Sequence, residues 1–199
     1  MDHLKVDLAV IGSGGAAFAA AIHATGLGKR VLMVERATIG GTCVNTGCIP
    51  SKALIAAAEA RQVAVHASLF PGISATAGPV DIPALTGGKQ QLVELMRKDK
   101  YVDVAESHGW PILPGDAIFD GSPDAPLLRV ITEDGGSELI EAAHYLVATG
   151  ARPWIPRISG IDAVGYLTST TAMELTEVPN SLLVLGGGYV AMEQAQLFA

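Results

Sequence analysis

Both cysteines of this 199-residue chain, Cys43 and Cys48, lie in one short segment, residues 40–52, which reads GGTCVNTGCIPSK. With no other thiol present, they must pair with each other, share a metal ion or stay as separate thiols. The Gly-Gly pair before them and the proline after them predict a short loop that runs into a helix. A helix N-terminus favours thiolate over thiol. The segment therefore predicts a dithiol that can be oxidised and reduced repeatedly.

A dinucleotide-binding loop precedes the two cysteines. The apolar residues 6–11 predict a buried parallel strand, and a G-x-G-x-x-A turn follows, with Gly12, Gly14 and Ala17 at the small positions. An alanine-rich helix to about residue 25 and a second strand at 31–35 complete the unit, which ends in Glu35. Gly12 permits the tight turn, Gly14 lets the backbone approach a pyrophosphate, and Ala17 allows close helix–strand packing. Glu35 can accept hydrogen bonds from ribose hydroxyls, so the whole unit predicts a dinucleotide site.

The position of the thiols indicates which dinucleotide binds. The redox segment begins five residues after Glu35. A dithiol that cycles by two-electron chemistry needs a carrier able to deliver both electrons to sulfur, and a flavin does so. The sequence therefore predicts FAD at the first loop.

The loop and the redox segment together resemble the pyridine nucleotide–disulfide oxidoreductase family. The resemblance implies that Cys48 lies against the flavin as the charge-transfer thiolate and that Cys43 is the interchange thiol facing substrate. Lys52, four residues after Cys48 and on the same helix face, would lie near the flavin N5 edge. Further cofactor contacts implied by the resemblance are Ala37, Gly41, Thr42, the backbone of Ala117, and Thr149 with Gly150.

The middle of the chain predicts helices followed by a meander. We expect one helix at residues 50–66, a loop at 71–79, and a second helix capped by Asp81 that runs to about residue 107, weakest at Gly87-Gly88. Short strands should follow at 110–113 and 117–119. A hairpin with arms 127–132 and 138–142 comes next, and then a separate strand ending at residues 149–150.

A second G-x-G-x-x-A loop follows an apolar run at residues 182–185, which we expect to be a strand. Its small residues are Gly186, Gly188 and Ala191, and it would open a domain that binds NADPH or NADH. Tyr189 and Glu193 share one helix face. The resemblance implies that Tyr189 covers the flavin where nicotinamide docks and that Glu193 forms a buried pair with Lys52.

These patterns predict an α/β fold: a Rossmann-like FAD-binding domain with inserted antiparallel strands over residues 1–155, and the start of a second Rossmann-like NAD(P)-binding domain over 156–199. The second Rossmann-like unit is not complete at Ala199. We therefore expect the chain to be part of a protein of more than twice this length, and the resemblance implies that this protein is a homodimer.

Composition narrows the classes of partner. The formal net charge of −7 and pI of about 5.1 argue against nucleic-acid binding. The basic residues 97, 98 and 100 should form a solvated helix face, and the five histidines show no metal-ligand spacing. Neither a leader near Met1 nor a membrane span is expected, which predicts a cytoplasmic protein with no membrane partner.

Three functions remain open. The first turn, residues 11–21, and segments at 88–90, 100–101, 146–153 and 167–175 resemble the branch of the family that reduces Hg(II) to Hg(0). That resemblance implies that Cys43 and Cys48 are transient Hg(II) ligands. Thiolates suit such a soft cation. The alternatives are a reductase of a small disulfide, of the lipoamide dehydrogenase or glutathione reductase type, and a flavin-binding module without catalysis.

Overall fold

The structure, a computed structural model, describes residues 3–199. The chain divides into two compact units, each built from two stretches of sequence. The first unit contains the described residues up to Asn45 together with Leu95–Ala151, and the second contains Thr46–Glu94 and Arg152–Ala199. Residues 1 and 2, on which the prediction of no leader partly depends, lie outside the described residues.

The first unit is organised around a six-stranded sheet. Its strands are β1 (Leu4–Ile11), β2 (Val31–Glu35), β3 (Ile112–Pro114), β4 (Asp116–Ser122), β5 (Ala125–Ile131) and β6 (Ser137–Val147), in the spatial order β3-β2-β1-β6-β5-β4. Strands β3, β2, β1 and β6 are parallel, while β4 and β5 extend the sheet as an antiparallel meander from β6. This arrangement confirms the predicted Rossmann-like fold with inserted antiparallel strands.

The central strands are buried on both faces, as their continuous apolar sequence predicts. Alternate residues of β1 and β2 point to opposite sides of the sheet. Val10 and Met33 pack with Phe18 of helix α1 (Gly15–Gly26) on one face. Ala9 and Leu32 pack with meander residues on the other face. Two apolar layers therefore hold β1, the strand that leads into the first glycine loop.

The long helix predicted after Asp81 forms, but its irregular point is elsewhere. The Asp81 carboxylate accepts a hydrogen bond from the Ala84 amide at 3.0 Å, and α4 (Ile82–Arg97) runs through Gly87-Gly88 without a break. A π-helical turn at Lys98–Val102 then leads into α5 (Asp103–His108). Exposed glycines lower helix propensity without breaking hydrogen bonds, whereas the π turn places Tyr101 edge-on to Phe18, with ring centroids 4.8 Å apart.

The regular elements in the described residues of the second unit are helices, joined by irregular segments. Beside the first part of α4, it contains α3 (Cys48–His66), α6 (Ser169–Ala172) and α7 (Tyr189–Phe198). Helix α7 packs against α3 and α6. Lys89 of α4 is only 4% exposed, and its ammonium donates to the Met173 carbonyl at 2.8 Å. This bond fastens the C-terminal end of α6 to α4.

Two of the predictions about strands are wrong. The hairpin arm 138–142 and the strand that was to end at 149–150 are one continuous strand, β6, because its first residues pair with β5 and its later ones with β1. Residues 182–185 form no strand: Leu183 and Leu185 are exposed, and the described strands all lie in the first unit. A strand needs a hydrogen-bonded neighbour, and this segment has none there.

Two negative observations apply to residues 3–199. None of the helices in this range is long and apolar enough to cross a membrane. The same range also contains no group of three or more histidine, cysteine or acidic side chains placed to hold a metal ion.

Candidate functional site

The first glycine loop lies at the carboxyl ends of β1 and β6, the edge at which parallel α/β sheets bind ligands. Gly12 has φ +104°, and a Cβ added there would lie 2.3 Å from the Ala148 carbonyl oxygen. The same Cβ would lie 3.3 Å from the Cα of Thr149. Only glycine fits this position, as predicted, and the fit brings residues 148–149 against the loop.

The N-terminus of α1 is open to an anion. Its N-cap residue, Gly14, has an extended backbone and supplies no side-chain cap, so the amides of the first turn have no side-chain acceptor. Ala17, in that turn, is fully buried against the sheet. Both observations fit a pyrophosphate bound at a helix N-terminus.

Glu35 ends β2 beside this loop. One carboxylate oxygen accepts the Ser13 hydroxyl at 2.5 Å, and the other accepts the Ala37 amide at 2.9 Å. Each carboxylate oxygen has two acceptor sites, so Glu35 keeps capacity for ribose hydroxyls. The sequence singled out Glu35 and Ala37 but missed Ser13, which lies at a variable position of the loop motif and is 1% exposed.

The redox segment touches the glycine loop through two glycines. Gly41 has φ +64°, and a Cβ built on it would lie 2.7 Å from the Cα of Gly14. The preceding amide, of Gly40, donates to the Ser13 hydroxyl at 3.1 Å. The turn at residues 40–41 therefore packs on the dinucleotide loop, which explains the glycine at position 41. A Cβ at Gly40, which has φ +104°, would instead lie 2.4 Å from the Val44 side chain.

Cys43 lies on α2 (Gly41–Thr46), a short helix where a loop was predicted, and both Cys43 and Thr42 are exposed. The side-chain amide of Asn45 donates to the backbone carbonyls of Ile39 and Gly41, each at 2.9 Å. The Asn45 oxygen accepts the Arg97 guanidinium at 3.1 Å. Arg97 was expected on a solvated face. It is half-buried instead, because it completes this hydrogen-bond network around the start of α2.

Cys48, Lys52 and Glu193 belong to the second unit. Cys48 is the first residue of α3 and is exposed, and Gly47 gives that helix no side-chain cap. Lys52, one turn further on, forms an ion pair with Glu193 of α7. The pair was expected to be buried, but the side chains of Lys52 and Glu193 are 60% and 31% exposed. The predicted ion pair between Lys52 and Glu193 therefore forms, but in a setting open to solvent.

The second glycine loop keeps the turn but not the strand of its motif. Gly186 has φ +127°, and Gly188 is the N-cap of α7 without a side-chain cap. A Cβ on Gly186 would lie 3.8 Å from that of Ala191. Tyr189 opens the helix with its side chain 81% exposed. An anion could approach this helix end as at the first loop.

The remaining predicted contacts lie around the first loop or at the end of the meander. Gly150 follows β6 with φ +71°, one residue after Thr149. Ala117 lies on β4, an edge strand of the sheet. The residue before β4, Gly115, donates its amide to the Glu35 carbonyl at 3.0 Å. This bond holds the start of β4 beside the carboxyl end of β2.

Comparison with known proteins gives a consistent result. The family model for pyridine nucleotide-disulphide oxidoreductases matches residues 6–199. Among curated relatives, a mercuric reductase of Streptomyces lividans is 59% identical over 197 residues, covering 99% of this chain and 41% of that protein. A mercuric reductase of Staphylococcus aureus is 45% identical over 192 residues, which are 96% of this chain and 34% of that protein. The chain thus spans about two fifths or less of the length of these relatives.

A solved structure extends the likeness to three dimensions. The Cu(II) complex of the HOCl-induced flavoprotein disulfide reductase RclA from Escherichia coli superimposes with a TM-score of 0.79 at 28% identity. The match covers 100% of this chain and 40% of that one.

Proposed function

The chain belongs to the pyridine nucleotide-disulphide oxidoreductase family, and we propose that it binds FAD and carries the dithiol through which NAD(P)H reduces Hg(II) to Hg(0). One observation carries the proposal. The turn that leads to Cys43 packs directly on the dinucleotide loop, with Gly41 against Gly14. The proposed flavin site and the turn that leads to Cys43 are therefore in direct contact.

The first unit fits FAD by its own chemistry. The loop of Gly12 and Gly14, with the uncapped start of α1, would hold the pyrophosphate. Glu35 would accept hydrogen bonds from the adenosine ribose, and Thr149 lies beside Gly12 of the loop. When bound, the flavin supplies two-electron transfer between nicotinamide and sulfur. The second glycine loop, at Gly186–Gly188–Ala191, is the proposed start of the NADPH or NADH site.

The two thiols provide the metal chemistry. Cys48 stands at the N-terminus of a 19-residue helix, where negative charge is stabilised, and Cys43 lies five positions earlier on α2. Thiolates are soft ligands that suit Hg(II). Lys52, held by Glu193, adds a positive charge one turn after Cys48. In the balanced reaction, NAD(P)H and Hg(II) give NAD(P)+, one proton and Hg(0), and both electrons come from the nicotinamide.

The relatives support the choice of substrate. The Streptomyces lividans and Staphylococcus aureus relatives are named mercuric reductase and align with nearly the whole chain. The full reaction, a homodimer and a cytoplasmic setting are proposals for the longer protein, since the chain spans less than half of each relative.

The test uses the chain with FAD and bypasses the nicotinamide domain. The FAD-loaded chain, with Cys43 and Cys48 first reduced to thiols, is reduced anaerobically with one equivalent of dithionite, so that both electrons reach the flavin. HgCl2 is then added, and flavin absorbance and volatile mercury are recorded. We expect reoxidation with release of about one Hg(0) per flavin, and loss of both signals in Cys43→Ser and Cys48→Ser. Ser107→Ala, a surface change on α5, is the matched control. Wild-type reoxidation that survives in both cysteine variants would contradict the proposal.

A second candidate, reduction of a small organic disulfide, is favoured by the likeness to a flavoprotein disulfide reductase. The same assay separates the two. Reoxidation by glutathione disulfide or lipoamide but not by HgCl2 would select the disulfide reductase. Flavin binding with reoxidation by none of these oxidants would indicate a flavin-binding module without catalysis.

A further inference from the structure

The dinucleotide loop contains a buried hydroxyl that no part of the proposed reaction uses. Ser13 is 1% exposed and makes two hydrogen bonds. It donates to the Glu35 carboxylate at 2.5 Å and accepts the Gly40 amide at 3.1 Å. A hydroxyl has one proton and two lone pairs, so it can donate in one direction while accepting from another. Ser13 thus joins the end of β2 to the turn before the redox helix.

The two groups that Ser13 joins, the Glu35 carboxylate and the Gly40 amide, each belong to a part of the proposed site. Glu35 is the group that would contact the adenosine ribose, and Gly40 with Gly41 is the turn that starts α2 and leads to Cys43. On its other side, the turn is fixed by the Asn45 side-chain amide, which donates to the carbonyls of Ile39 and Gly41. Ser13 therefore supplies the hydrogen bond that links this turn to the cofactor side.

We propose that Ser13 is a positioning residue that couples occupancy of the ribose site at Glu35 to the ordering of the Gly40–Gly41 turn, and thereby of the helix that bears Cys43. The inference rests on the proposed function in one respect, that FAD binds the first loop. Coupling is reciprocal: if FAD orders the turn through Ser13, the ordered turn also favours FAD. A hydrogen bond to a charged carboxylate is among the stronger ones in proteins, which suits this link.

The experiment measures both ends of the link in the wild-type chain, in Ser13→Ala and in the matched control Ser107→Ala, which removes a surface hydroxyl from α5 of the same unit. Hydrogen exchange of the Gly40 amide is followed by NMR with and without FAD, and FAD affinity is measured by flavin fluorescence. In the wild type, we expect FAD to slow Gly40 exchange by about fivefold or more, a typical coupling between sites. In Ser13→Ala, Gly40 should exchange faster and FAD should bind about fivefold or more weakly.

The outcomes separate the two levels of proposal. Wild-type FAD affinity and wild-type Gly40 exchange in Ser13→Ala would overturn the coupling and leave the proposed function standing. If the wild-type chain binds no FAD, the proposed function fails for this chain. Faster Gly40 exchange in ligand-free Ser13→Ala would still support the positioning role, and unchanged exchange would refute it. If Ser13→Ala does not fold by circular dichroism, Gly40 exchange in ligand-free Glu35→Gln tests the link instead, because a neutral oxygen accepts the Ser13 hydroxyl less strongly. Gly40 should then exchange faster than in the wild type, and unchanged exchange would refute the positioning role.

Discussion

Replacing Gly41 by alanine tests the contact between the redox turn and the dinucleotide loop. The new Cβ would lie 2.7 Å from the Cα of Gly14, whereas ordinary contact begins at 3.4 Å, so the two backbones must separate by about 0.7 Å. Gly41 also has φ +64°, a conformation that costs a non-glycine residue roughly 1–2 kcal/mol. With the displacement added, we expect Gly41→Ala to lower the free energy of unfolding by about 2–3 kcal/mol.

The assay compares thermal unfolding and FAD affinity in three chains. For a chain of this size, the loss corresponds to a Tm lower by roughly 4–12 °C. FAD affinity should also fall, because the displaced atom belongs to the loop that approaches the pyrophosphate. Gly87→Ala is the matched control. Its Cβ meets nothing within 4 Å and it lies inside α4, so it should stabilise by about 0.5–1 kcal/mol and leave FAD affinity unchanged.

The two glycines therefore predict opposite signs for the same chemical change. A Gly41→Ala chain that unfolds at or above the wild-type Tm and binds FAD with wild-type affinity would refute the close packing of the turn on the loop. A destabilised Gly87→Ala chain would show that propensity arguments do not hold for α4.

Three further predictions concern charged groups, each checked by urea unfolding. Lys89→Met should cost about 1–3 kcal/mol, because it leaves the buried Met173 carbonyl without that donor and removes the ion-pair partner of Glu174; a neutral result would contradict this account of α6. Lys52→Met should change stability by less than about 1 kcal/mol, since its ion pair is largely exposed, and a larger loss would mean that Lys52 supports packing. The Arg30 amide, donating at 2.7 Å, holds the pKa of Asp7 below its ordinary 3.8. The stability that Asp7 contributes is therefore present above pH 3.8 and is lost as the pH falls through the lower pKa of the folded state. Asp7→Asn should therefore reduce how steeply the free energy of unfolding falls at acid pH. An unchanged dependence on acid pH would contradict this prediction.

Much of the fold could be predicted because local patterns decide it. The strand at 31–35 forms with the predicted bounds, and the first strand and α1 differ only by a residue or two at their ends. Continuous apolar runs, a glycine turn and an alanine-rich helix leave few alternatives at short range. The helix cap at Asp81 could be predicted for the same reason, because its carboxylate accepts a hydrogen bond from an amide only three residues later.

Other features depended on partners far away in the sequence. Whether residues 138–147 were one strand or two was decided by β5 on one side and β1 on the other. Residues 182–185 have a strand-like composition, yet in the described part of the chain they have no neighbour to bond with. Composition decides which backbone conformations are low in free energy, and hydrogen bonding to a neighbouring strand selects among them.

The candidate site divides in the same way. The sequence alone determined the chemistry: two thiols in one segment, a glycine loop with a carboxylate at the next strand end, and a lysine one helical turn after Cys48. Only the tertiary structure decided that Gly41 packs on Gly14, that Ser13 joins Glu35 to the redox turn, and that Arg97 fastens Asn45. A motif records which groups are present and how far apart they stand along the chain. Contacts between residues 22 to 52 positions apart depend on how sheet and helices pack, and no local pattern encodes that geometry.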